Sequence, residues 1–223
     1  NSINLGGVTG YANTLTKANA VSTCIRLRSD SYVDMQNNIL VNRLNRAVSS
    51  SSLGAACILS SLNNTALFTG LDNNIYFAGG VTNGGIAACG FISATGTAYT
   101  TIAAWRTYTG KDAASLNVLP VFVSGTDLHL DAAANGAISN KGKVLAAVSL
   151  DIDNQTRNPQ TPDIGCDEFV LANTASWVGK VSTDWTLPDN WEANTVPNST
   201  TDVTIDGGYS FLPTISTTQA VRN

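Results

Sequence analysis

Residues 151–169, DIDNQTRNPQTPDIGCDEF, gather Asp151, Asp153, Asp163, Asp167 and Glu168 around one guanidinium, Arg157, in a chain that is only 13% charged. Three chemistries use such a set. Two carboxylates facing each other across a cleft would hydrolyse glycosides. Oxygen donors crowded in one loop suit calcium, and Asp151, Asp153 and Asn154 supply several. Carboxylates such as Asp151 or Asp163 can also pair with Arg157 and close the end of a fold. Local abundance of Asp does not place two carboxylates across a cleft, so catalysis is the least supported. An EF-hand is excluded, because the loop counted from Asp151 has Thr156 at its sixth position and Pro162 at its twelfth. The sequence favours a structural cap of Arg157, Asp163, Asp167 and Glu168. Calcium on Asp151 and Asp153 is the alternative, and no other cofactor is expected.

The remaining reactive side chains say less. His129, the sole histidine, lies in TDLHLD without a Ser or Cys nucleophile motif near it, and reads as a strand residue with one hydrogen bond. Cys24, Cys57, Cys89 and Cys166 form no C-x-x-C pair, which argues against a zinc site built on them. Two disulfides or four free thiols both remain open. No Gly-rich loop follows a strand and opens a helix, so no phosphate cradle is expected. A net charge of −4 leaves no basic stripe for nucleic acid. No apolar run reaches the ~18 residues of a membrane span.

The elements that must position these groups show in a repeat. STCIRLRSDSYVDMQNNILVN, from Ser22, resembles AACILSSLNNTALFTGLDNNIYFAG, from Ala55; their cysteines lie 33 residues apart and their Asn-Asn pairs 36 apart. Each unit reads as a short strand around the cysteine, a turn, and a second strand ending in Asn-Asn-Ile. A fixed period of this length signals a stacked array. Stacking would set Asn38 over Asn74 as an amide ladder. TIAAWRTYTGKD is the one strong helical stretch, capped by Thr100 or Thr101 and stopped at Gly110. The expected fold is therefore all-β: the C-terminal coils and cap of a right-handed parallel β-helix over residues 1–170. A linker at 171–176 and an incomplete Trp-rich β module at 177–223 follow. Arg26, Arg28, Asp30 and Asp34 lack counterparts in the second unit that would stack into a catalytic column, apart from a loose Asp72.

NSINLGG, MQNNILVNR, NNIYFAGG, TIAAWRTYTGKDAASLNVLPVFVSGTDLHL and the 151–169 segment occur in this order in large secreted surface proteins of Bacteroidetes-type bacteria, which the chain resembles over residues 1 to about 170. Cys166 departs from the Gly-Ala-Asp-Glu ending usual in that family. The stretch from Trp177 to Ile205 resembles a Trp-rich module found downstream of such regions. The resemblance implies a pectate-lyase-like parallel β-helix, export by a type IX route, and an extracellular or cell-surface location within a longer chain. It implies a non-catalytic adhesin role, with glycans or other surface proteins as partners. The tail of a polysaccharide lyase or glycoside hydrolase is the competing expectation, and a structural subunit of an extracellular assembly the third. Trp177, Trp185 and Trp191 are expected to pack a core rather than stack on sugar.

Overall fold

The computed structural model describes residues 1–5, 21–28, 32–44, 46–47, 52–82, 86–169, 171, 173–192, 194–199, 201–205, 207–215 and 219. Asp30 of the sequence analysis lies outside them. Two compact units divide at Phe169, the first Asn1–Phe169 and the second Val170–Asn223.

In the first unit, strands β1 (Ser2–Leu5), β4 (Ile39–Asn42) and β8 (Ile75–Ala78) pair in parallel, Ser2 on Ile39 and Ile39 on Ile75. A single bridge from Ile75 to Leu116 extends this ladder. Strands β2 (Ser22–Leu27), β6 (Leu53–Ser60) and β10 (Ile86–Ile92) form a second parallel set, with β11 (Thr97–Tyr99) antiparallel on β10. Strand β3 (Val33–Gln36) pairs with β7 (Phe68–Asp72), and β5 (Arg46–Ala47) with β9 (Val81–Thr82).

The sheet β1-β4-β8 is apolar on both faces because it is covered on both. Leu40 and Tyr76 point into a core with Cys57, Ile58, Phe68, Cys89, Ile92 and Trp105. Ile39, Val41 and Ile75 point the other way, onto Leu130, Ile138 and Ile164. The segment from Asp112 to Phe169 that supplies this second cover has only isolated bridges among its described residues, and is held by turns. Consecutive apolar residues such as ILV and IYF are what a strand buried on both sides requires. Burying each such side chain contributes roughly 2 kcal/mol.

Helix α1 (Ile102–Thr109) begins where Thr101 accepts a hydrogen bond from Ala104 N–H at 3.2 Å and ends at Gly110, whose φ of 65° is left-handed. Its Trp105 is fully buried against β10 at Gly90, where a Cβ would lie 2.2 Å from the indole. Only a glycine admits that approach.

The expected all-β, right-handed parallel β-helix is not what forms. Among the described residues the strands fall into several small separate sheets of mixed direction beside a helix, with no closed solenoid, and the arrangement is of the α/β type. The physical reason lies at the corners. The 33-to-36-residue spacing sets which strands lie side by side, and that pairing is present. It does not dictate what the chain does next. After Ile92 the turn Ser93–Gly96 reverses the chain into β11, and the capped helix follows, neither of which continues a stack.

The second unit pairs β12 (Asn173–Ser176) with β13 (Thr201–Thr204) in parallel. Trp177, Trp185 and Trp191 are buried; Trp191 meets the other two edge to face, 4.7 Å from Trp185 and 5.1 Å from Trp177, while Trp177 and Trp185 lie stacked at 6.4 Å. Such contacts add about 1 kcal/mol each to the area they bury.

Candidate functional site

The 151–169 segment folds into a knot centred on Arg157, which is 8% exposed. Its guanidinium donates to the carbonyls of Asp163 at 3.1 Å and Gly165 at 2.8 Å, and its carboxylate partner is Glu168 at 3.4 Å. The sequence suggested Asp151 or Asp163 for that pairing. Both carboxylates are occupied by backbone instead. Asp163 accepts from Asn140 N–H at 2.5 Å and Phe169 N–H at 2.8 Å. Burial raises its pKa above the usual carboxylate value, against the pull of those two donors. Asp151 accepts from the N–H groups of Asp153, Gln155 and Glu168. Glu168 accepts from Asn158 and Asp163 N–H as well as from Arg157. Polar side chains here take the place of a sheet ladder, satisfying backbone groups that the turns leave open.

Of the two calcium candidates, Asp151 spends its carboxylate oxygens on backbone N–H groups. Asp153 instead reaches His129, its Oδ2 lying 2.9 Å from Nε2. The other ring nitrogen, Nδ1, lies 2.5 Å from Asp127 Oδ1. Hydrogen bonding to Asp127 raises the His129 pKa, with smaller contributions from the charges of Asp127 and Asp153. Asp167, 5% exposed, accepts from Leu130 N–H at 2.8 Å and joins this group. The His129 cluster is not what the sequence suggested for this lone histidine. The signal was the Asp-x-His spacing, which puts both side chains on one face of an extended segment.

Asn38 and Asn74 meet directly. The Asn74 side-chain oxygen accepts from the Asn38 backbone at 2.9 Å and from its side-chain amide at 3.0 Å. The row runs further than the repeat: Asn1 donates to Asn38 at 3.4 Å, and Asn74 N–H donates to Ser115. Beyond it sits Asp112, 1% exposed, which accepts from Tyr76 OH at 3.0 Å, Trp105 Nε1 at 2.8 Å, and Ser115. Burial raises its pKa, opposed by these donors.

All four cysteines are free. Burial pushes the Cys89 thiol up to about 11 and the Cys57 thiol well above its ordinary value.

Two of the concave surfaces among the described residues bear on binding. One, of about 340 Å³, is lined by Lys143, Val144, Val148, Asn158 and Pro162 beside the Arg157 knot. The other is an open groove of about 590 Å³ in the second unit. It presents Tyr209 (37% exposed) and Phe211 (40%) with Lys180, Asp189, Glu192 and Asn194. No helix among the described residues is long and apolar enough to cross a membrane.

Comparison with known protein families, curated proteins and solved structures finds no match to this chain.

Proposed function

We propose that this chain is a non-catalytic binding segment of a secreted bacterial surface protein, and that the groove of its second unit contacts glycans. The exposed Tyr209–Phe211 pair carries this reading. Aromatic faces offer flat apolar area against the C–H face of a sugar ring, while Asp189, Glu192, Asn194 and Lys180 offer donors and acceptors to hydroxyls. Trp177, Trp185 and Trp191 are committed to the core below. The character of the 151–169 knot supports binding over catalysis, since Asp151, Asp163 and Glu168 spend their oxygens on backbone N–H groups and Arg157. A cleaving pair would leave oxygens free toward a substrate.

The test is titration of the protein with neutral and acidic oligosaccharides. Saturable binding that Tyr209→Ala with Phe211→Ala removes, with near-ultraviolet circular dichroism unchanged, supports the groove. Binding that survives the double substitution rejects it. Release of reducing or unsaturated sugar ends, abolished by changing one carboxylate, would reject the non-catalytic role.

A further inference from the structure

We propose that His129, Asp153 and Asp167 hold a divalent transition ion of the zinc class. The ligand atoms of the three residues lie within 4.8 Å of one another, a span that one ion can close by small side-chain movement.

Three observations carry the assignment. First, His129 is oriented as a ligand. Asp127 Oδ1 faces Nδ1 at 2.5 Å and holds the ring from behind, so an ion that displaces the proton shared between Nε2 and Asp153 meets an imidazole already oriented. A carboxylate behind a histidine is the usual outer support of a metal-bound imidazole. Second, Asp153 Oδ2 already lies 2.9 Å from that same Nε2. Third, Asp167 is 95% removed from solvent, being 5% exposed, yet among the described residues it makes no ion pair and receives one hydrogen bond, from Leu130 N–H. Arg157, the nearest buried cation in sequence, is spent on Glu168 and the carbonyls of Leu150, Asp163 and Gly165. A buried carboxylate with so little compensation calls for positive charge.

The donor set selects the ion. One imidazole nitrogen and two carboxylate oxygens, with a fourth place open toward solvent at the exposed side of His129 and Asp153, match a tetrahedral zinc site. Calcium would want six or more oxygens and no imidazole. An ion here would add a further tie among three chain segments, the 127–130 stretch, the 151–155 turn and the end of the knot at Asp167.

The experiment is isothermal titration of the full, untagged chain with Zn²⁺ and separately with Ca²⁺, alongside absorption spectra with Co²⁺. One Zn²⁺ per chain is expected, lost in His129→Ala and weakened at least tenfold in Asp153→Asn. Asp127→Asn, which touches no ion, should weaken it ~10- to 100-fold by freeing the imidazole. The Co²⁺ spectrum should show tetrahedral visible bands without thiolate charge transfer, which separates this site from Cys24 and Cys166. His129 and Asp153 are partly exposed, so their variants test binding without a folding defect, checked by circular dichroism. Zn²⁺ binding unchanged in His129→Ala, a thiolate band, or Ca²⁺ binding as tightly as Zn²⁺ would each overturn the assignment.

Discussion

Arg157 shows how a single side chain can stand in for a missing piece of sheet. It satisfies the Asp163 and Gly165 carbonyls and neutralises Glu168 in a place with little water. Arg157→Ala leaves that charge and both carbonyls stranded, and should destabilise the first unit by about 3 kcal/mol, read as a lower melting temperature in chelator-treated protein. Arg157→Lys should recover little, because an ammonium cannot reach across two carbonyls and a carboxylate as the planar fork does. A melting temperature unchanged by Arg157→Ala would show the knot to be held otherwise. Asp112 makes a different prediction. Its pKa is raised in the folded chain, so the folded state holds the proton more tightly than the unfolded one. Its contribution to stability is therefore fullest below the unfolded value of about 4 and is lost as pH rises through the folded value. Urea melts across that range should show wild-type stability falling relative to Asp112→Asn as pH increases; a relative rise would reverse the assignment.

At the scale of elements, helix α1 and strand β10 depend on one contact. Gly90→Ala would drive a methyl into Trp105, so the helix must lift away or the strand must bend. Tryptophan emission should shift red and the first unit should lose several kcal/mol, within the range of overpacked cores. Unshifted emission with full stability would mean that the helix moves freely. This element was legible in the sequence because Thr101 and Gly110 are local signals, each acting within a few residues. The strand pairing was legible for a similar reason: Asn-Asn recurs at a fixed distance, and Asn73 and Asn37 adopt the left-handed φ of 53° and 55° that asparagine tolerates. The closure of the fold was not legible. The cover of β1-β4-β8 is built from turns with no hydrophobic period, held by carboxylates bonded to backbone N–H groups, and a backbone partner leaves no mark in a sequence. The partner of Arg157 was misjudged for that reason, and the His129 cluster was missed because its members come from three separated segments.

The described residues form three apolar clusters, two in the first unit and one in the second, and the units carry separate reporters, Trp105 in the first and Trp177, Trp185 and Trp191 in the second. Cys57 and Cys89 lie in the first core, 0% and 2% exposed, with thiols that burial keeps protonated. They should resist alkylation at neutral pH until the first unit opens, whereas Cys24 and Cys166 react earlier; mass spectrometry along a urea series reads both. Early labelling of Cys57 would place the opening at the β4–β6 contact, where its thiol donates to Leu40 O at 3.3 Å. Asn37 links the ladder to the surface in a way that bears on how such a protein can vary. Its side chain donates to the Lys143 carbonyl at 2.6 Å and accepts from the Lys143 N–H at 2.8 Å, across 106 residues of chain. That clasp reads only main chain. Any residue but proline could stand at 143 and be gripped the same way. The exposed loop running on through Val144 is thus moored by a part that never changes while its own side chains stay free to drift, which lets a lineage rewrite what this face shows to the outside without refolding what lies beneath.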